Sequence, residues 1–130
     1  MKTHVIVTNR KYYNDWAELH PDMLEGYLEA QMATRVYFPF WSTKVPKEIL
    51  KKYECIGFHT GDERGGSPIQ HLIRRGINES CIKMFRMTSR IDGGRLFSIR
   101  NIRLDGSLEE ILLRMSETIM EMINAEEDSR

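Results

Sequence analysis

The sequence predicts an α/β fold: a small, mainly parallel sheet flanked by helices, with a late hairpin and a C-terminal helix. Three observations predict it. Short apolar or β-branched runs alternate with helical spacings through the first part of the chain. The turn residues Asp92-Gly93-Gly94 then separate two strand-like stretches. Finally, one long amphipathic stripe closes the chain.

Val5-Ile6-Val7 suits a strand buried on both faces. Residues 11–20 are polar and aromatic, without a period. Pro21-Asp22 opens a helix whose apolar positions are Met23, Leu24, Tyr27, Leu28 and Met32. Arg35 to Trp41 is a second strand running into a loop, limited by Pro39, which has no amide hydrogen to donate. Pro46 suits the first turn of a short helix through Lys52. Glu54 to His59 is a third strand. Thr60 to Gly66 is a loop by composition, and Ser67-Pro68-Ile69-Gln70 combines an N-cap, a first-turn proline and a capping-box glutamine. The helix they open should end near Gly76. Glu79 to Ser89 alternates, with Ile82, Met84 and Arg86 on one face and Cys81, Lys83, Phe85 and Met87 on the other. Arg95 to Arg103 is the returning strand. Ser107-Leu108-Glu109-Glu110 is a second capping box, and Leu108, Ile111, Leu112, Met115, Ile119, Met122 and Ile123 mark the helix stripe. The layout is Rossmann-like.

With 130 residues, a single domain over 1–125 is expected, followed by a charged tail at 126–130. Basic and acidic side chains balance at 19 each, so a nucleic-acid partner is disfavoured, although Arg95, Arg100 and Arg103 could form a local patch. Two cysteines, Cys55 and Cys81, suit buried reduced thiols rather than a secreted framework. No apolar run reaches the roughly 18 residues of a membrane span, and the apolar start is short for a secretory signal. A cytoplasmic location is the expectation. No histidine or cysteine has paired metal-ligand spacing, so no metal is expected. Phe38, Phe40, Trp41 and Phe97 leave room for homo-oligomer formation.

His59 is the first chemical candidate, because open α/β sheets bind ligands beyond the C-terminal ends of their strands. A structural histidine at a strand end remains the plainer alternative. Arg64-Gly65-Gly66-Ser67 could present backbone amides to an anion at a helix start, or could simply be a tight loop. It lacks the lysine and the spacing of a phosphate-binding Walker loop. Asp92 could be chemical or only hold its Asp-Gly turn.

Taken together, Gly57-Phe58-His59, then Arg64-Gly65-Gly66-Ser67-Pro68-Ile69-Gln70, then Ile91-Asp92-Gly93-Gly94 resemble the folate-dependent formyltransferases, a family with tRNA-directed and sugar-directed members. Those proteins have a strand ending in Asn-x-His, then Arg-Gly-x-x-Pro-Ile-Gln opening a helix, then a Leu-Asp-x-Gly turn. Trp41 to Leu50 resembles the stretch before the family's strand, and the likeness covers roughly residues 35–123. The resemblance implies transfer of a formyl group from 10-formyltetrahydrofolate to an amine, with His59 and Asp92 catalytic. It also implies that Gly57, Thr60, Arg64, Gly65, Gly66, Ser67 and Gly93 line the substrate and folate sites. The amine attacks the formyl carbon, and the histidine stabilises the resulting oxyanion or moves a proton. The aspartate orients the histidine or accepts the amine proton.

This chain departs from the family pattern where Gly57 replaces the asparagine, and losing one oxyanion donor typically costs about a hundred- to a thousand-fold in rate. The loop from His59 to Arg64 is also short, and the N-terminal part is compact. A small-molecule amine such as an amino sugar is the expected acceptor. The alternatives are a diverged binding protein that keeps the fold without turnover, and a phosphate-ligand enzyme using the helix start at Gly65–Ile69.

Overall fold

A computed structural model describes residues 3–61, 74–76, 78–89 and 94–130. Six strands form one mixed sheet in the order β2-β1-β3-β4-β5-β6. They are β1 (His4–Thr8), β2 (Ala17–Glu18), β3 (Arg35–Phe38), β4 (Glu54–Thr60), β5 (Glu79–Arg86) and β6 (Leu96–Arg103). The helices are α1 (Leu24–Ala30), α2 (Lys47–Lys52) and the C-terminal α3 (Leu108–Asp128). The expected α/β class is therefore present, with its parallel part first and its hairpin late.

The first four strands run parallel. Val7 pairs with Ala17, Val5 with Val36, and Phe38 with Gly57. The direction reverses at β5. The Met87 N–H donates to the Cys55 carbonyl at 2.8 Å, and the Gly61 N–H to the Cys81 carbonyl at 2.8 Å, so positions rise along β4 as they fall along β5. Strand β6 turns back again, with Arg86 N–H donating to Arg95 O at 2.7 Å and Leu104 N–H to Asn78 O at 2.7 Å.

Contacts divide the chain into two compact units, Met1–Gly57 with Phe85–Arg95, and Phe58–Met84 with Leu96–Arg130. In the first, Leu24 and Leu28 of α1 and Ile49 of α2 pack on Val7, Val36, Phe38 and Cys55. All four residues of β3 are buried, as a central strand requires. Arg35 is one of them and is held by Glu54, while its Nη1 donates to the Tyr37 hydroxyl at 3.1 Å. Glu54 also accepts from Arg86 Nη1 at 3.2 Å. Burial works against the Arg35 charge, but the hydrogen bonds to Glu54 and Tyr37 outweigh it and raise the pKa.

In the second unit, α3 packs on β6. Ile111, Met115, Ile119, Met122 and Ile123 are buried along one stripe, each contributing about 1.5–3 kcal/mol of apolar burial. The helix begins as its sequence predicts. The Ser107 hydroxyl accepts from Glu110 N–H at 3.1 Å, and the Ser107 N–H donates to the Glu110 carboxylate at 3.1 Å. Hydrogen bonds from the Ser107 backbone and then its side chain hold the Glu110 carboxyl below its ordinary value. Arg114 ties the helix back to the end of β6 by donating to the carbonyls of Arg103 and Asp105 at 2.7 and 3.1 Å.

Several expectations are corrected. The first strand is fully buried only at Val7 and Thr8, which point to opposite faces, while Val5 and Ile6 are half-buried. Residues 11–20 contain that unforeseen strand. The first helix opens with a 3-10 turn at Pro21–Met23, and Met23 and Met32 are exposed at 63% and 81% rather than on its apolar stripe. Met32 has left the helix with φ 53°. Leu108 is also exposed, since it precedes the turn that meets the sheet. Residues 126–128 of the charged tail belong to α3. Arg103 is paired with Asp105 at 3.4 Å, which neutralises part of the proposed arginine patch. Of the two free thiols, Cys55 is buried and Cys81 only half-buried. Phe38 is buried against Trp41, and Phe40 packs on Tyr12 and Trp16, so these aromatic rings have partners within the chain. The expected helix from Ser67 lies outside the described residues, apart from helical Arg74 and Gly76 with its left-handed φ of 71°.

Gly94 is demanded by space. A Cβ there would sit 1.6 Å from the Arg86 carbonyl oxygen. Gly94→Ala is expected to lose about 2–3 kcal/mol of stability, measured as a lowered urea midpoint. Cys55 gives a second expectation. Burial pushes its thiol up to about 12, with Arg86 opposing and Glu54 adding to the rise. An unfolded thiol, at its ordinary 9.0, therefore ionises before the native one. Its contribution to stability is complete below about pH 9 and declines as pH rises toward 12. Urea midpoints across that range should fall more steeply for the native sequence than for Cys55→Ala.

Candidate active site

The described site candidates, Gly57, His59 and Thr60, lie on the last part of β4. β3 stops at Phe38, the partner of Gly57, and β4 continues through Phe58, His59 and Thr60. His59 and Thr60 are half-buried and Gly57 is buried. A half-buried imidazole at the C-terminal end of a parallel strand can meet both a ligand and solvent, which suits proton movement or oxyanion binding. Thr60 follows with a hydroxyl that can donate or accept. Asp92, Arg64, Gly65, Gly66, Ser67 and Gly93 lie outside the described residues.

At Gly57 the structure adds what the sequence did not show. A Cβ placed there would meet Met87 Cγ at 3.0 Å, Met87 Sδ at 3.1 Å and Phe85 Cζ at 3.1 Å. The space into which a side chain at 57 would project is therefore taken by a thioether and an aromatic ring from the neighbouring strand. Alternation had already put Phe85 and Met87 on one face of that strand. Only the antiparallel register, set by the Met87–Cys55 hydrogen bond, brings that face over Gly57.

Asn9, another amide at a strand end, is engaged. Its Oδ1 accepts from Ser42 N–H at 2.9 Å and Ser42 Oγ at 3.2 Å, and its Nδ2 donates to Thr43 Oγ1 at 3.2 Å. It therefore joins the segments that follow β1 and β3. Among the described residues no group of three or more His, Cys, Asp or Glu could hold a metal ion. No described helix is long and apolar enough to cross a membrane.

No protein-family model matches the chain. It is similar to the methionyl-tRNA formyltransferase of Mycoplasmopsis pulmonis, 36% identical over 79 residues, a match covering 55% of this chain and 27% of that protein. The methionyl-tRNA formyltransferase of Bacillus cytotoxicus is 32% identical over 66 residues, covering 47% and 21%. The matches thus span about a quarter of the length of these curated relatives. Among solved structures, methionyl-tRNA formyltransferase from Clostridium thermocellum superposes with a TM-score of 0.78 at 29% identity, over 97% of this chain and 66% of that one. HypX from Aquifex aeolicus, solved in complex with tetrahydrofolic acid, has the same fold, with a TM-score of 0.69 at 18% identity over 96% and 26%.

The crowding at Gly57 has a measurable consequence. Gly57→Asn should lose about 1–3 kcal/mol of stability through overpacking. The loss should be smaller when Met87→Ala accompanies it, a coupling that a double-mutant cycle in urea will reveal. Additive effects of the two substitutions would show that the space can open by itself.

Proposed function

We propose, proceeding from the chain's membership of the formyltransferase family, that it transfers a formyl group from 10-formyltetrahydrofolate to the amine of a small substrate such as an amino sugar. The observation that carries the reading is His59, half-buried at the C-terminal end of β4 in a chain with this fold.

The folate donor supplies an activated formyl group. The chain's part is positioning and proton movement. The amine nitrogen forms a bond to the formyl carbon, and the carbonyl electron pair moves onto oxygen. His59 donates a hydrogen bond to that oxygen or relays the proton that the amine must lose. By the family resemblance, Asp92 has the part of orienting the imidazole or accepting the amine proton. The bond from the formyl carbon to the folate nitrogen then breaks, and that nitrogen takes up the proton. By the same resemblance, Arg64, Gly65, Gly66 and Ser67, with Thr60 and Gly93, are assigned to binding the two substrates. The chain's zero net charge favours a small acceptor over an RNA-borne one, since phosphate contacts reward a basic excess.

The filled space at Gly57 favours a second reading, a family member that binds folate without turnover. Incubation with 10-formyltetrahydrofolate and a panel of amines, including amino sugars and methionyl-tRNA, separates the two. Formylation of an amino sugar is expected, and His59→Ala and Asp92→Ala should each lower it by about a hundredfold or more while circular dichroism stays unchanged. Formylation of methionyl-tRNA alone would overturn the acceptor class. Folate binding without consumption would establish the second reading, and no folate binding would sink both.

A further inference from the structure

The strand face that carries His59 holds a second side chain suited to an anion. Gly61 and Cys81 lie opposite one another, joined by the 2.8 Å bond from Gly61 N–H to Cys81 O. Two residues back along β4 and two forward along β5, the same antiparallel ladder sets His59 opposite Lys83. Directly opposed residues share a face, with Cβ atoms about 4.5–5.5 Å apart. The other face of β5 is apolar, with Ile82 and Met84 at 0% and 1% exposure, so Lys83 is turned from that core. His59 and Lys83 are both half-buried. A lysine ammonium has three donors and no acceptor, and partial burial strengthens its hold on an oxyanion. Gly57, by contrast, offers no side-chain donor, and Met87 and Phe85 occupy the space one would need.

We propose that Lys83 is a further catalytic residue, whose ammonium joins His59 in holding the oxyanion that develops on the formyl oxygen. The inference rests on the formyl-transfer reading above. Lys83 gives a hydrogen bond and keeps its proton throughout. The electron pair driven onto oxygen by the attacking amine returns when the bond to the folate nitrogen breaks. The proton balance is unchanged, passing from the amine to that nitrogen. A cationic donor thus does from β5 what a side-chain amide at position 57 would do from β4.

The test uses formate as a small oxyanion, titrated into the whole chain while the His59 ring is followed by proton–carbon NMR, with His59→Gln assigning the signal. A saturable shift of the His59 ring is expected. Lys83→Met should weaken formate binding about tenfold or more, and Lys83→Arg should keep it within about threefold, because a cationic donor remains. An unmoved His59 signal, or equal formate affinity in Lys83→Met, overturns the proposal. In the transfer assay, Lys83→Met should lower kcat about a hundred- to a thousand-fold with little change in KM for the donor. Unchanged kcat also overturns it. If the native chain consumes no donor while formate binding is lost in Lys83→Met, the formyl-transfer reading fails and Lys83 stands as the anion-holding residue. Thermal melts of both Lys83 variants show whether either has lost its fold, and the arginine form keeps the test decisive if methionine is not tolerated.

Discussion

The carboxylate of Glu54 bridges Arg35 on one neighbouring strand and Arg86 on the other. Arg35 is 7% exposed, so its charge has no recourse to water. Breaking such a pair by removing one partner typically costs about 3–5 kcal/mol, since the remaining charge stays buried. A slip of β4 by one residue would turn Glu54 to the opposite face, away from Arg35. The observed pairing of Arg35 with Glu54 in the β3–β4 register is the arrangement that satisfies both charges. Met87 follows Arg86 by one residue and bonds to the Cys55 carbonyl, so the same constraint sets β5 against β4.

The geometry at the end of β4 follows from that register. With Glu54 set, Gly57 falls opposite Phe38 at the end of β3, and β4 continues beyond it to His59. Phe85 and Met87 fall over Gly57, and a glycine is what the space permits. A larger side chain at 57 would have to displace these two groups, which a close-packed interior resists. The same ladder puts Lys83 across from His59.

Local devices were legible in advance because they depend on neighbouring residues alone. Ser107 and Glu110 close their capping box by a spacing of three. Ile111, Met115, Ile119 and Met122 share a face by helical period. Pro39 ends β3 at Phe38 because it cannot donate to a ladder. Misreadings occurred where a periodic position met no partner. Met23, Met32 and Leu108 fit a stripe but lie at helix ends, where the sheet no longer covers them. The two-residue β2 carries too few residues for any period, and only its pairing with β1 makes it a strand.

The chain's own order of residues determined the α/β class, the late hairpin, the capped last helix and the location of His59 at a strand end. These rest on periods, caps and turn chemistry, all short in range. The tertiary structure alone decided the direction of β5, the crowding over Gly57, the need for a glycine at 94 and the opposition of Lys83 to His59. Each depends on which residue of one strand faces which residue of another. That register is set by buried partners distant in sequence, such as Arg35, Glu54 and Arg86, and no local pattern encodes it.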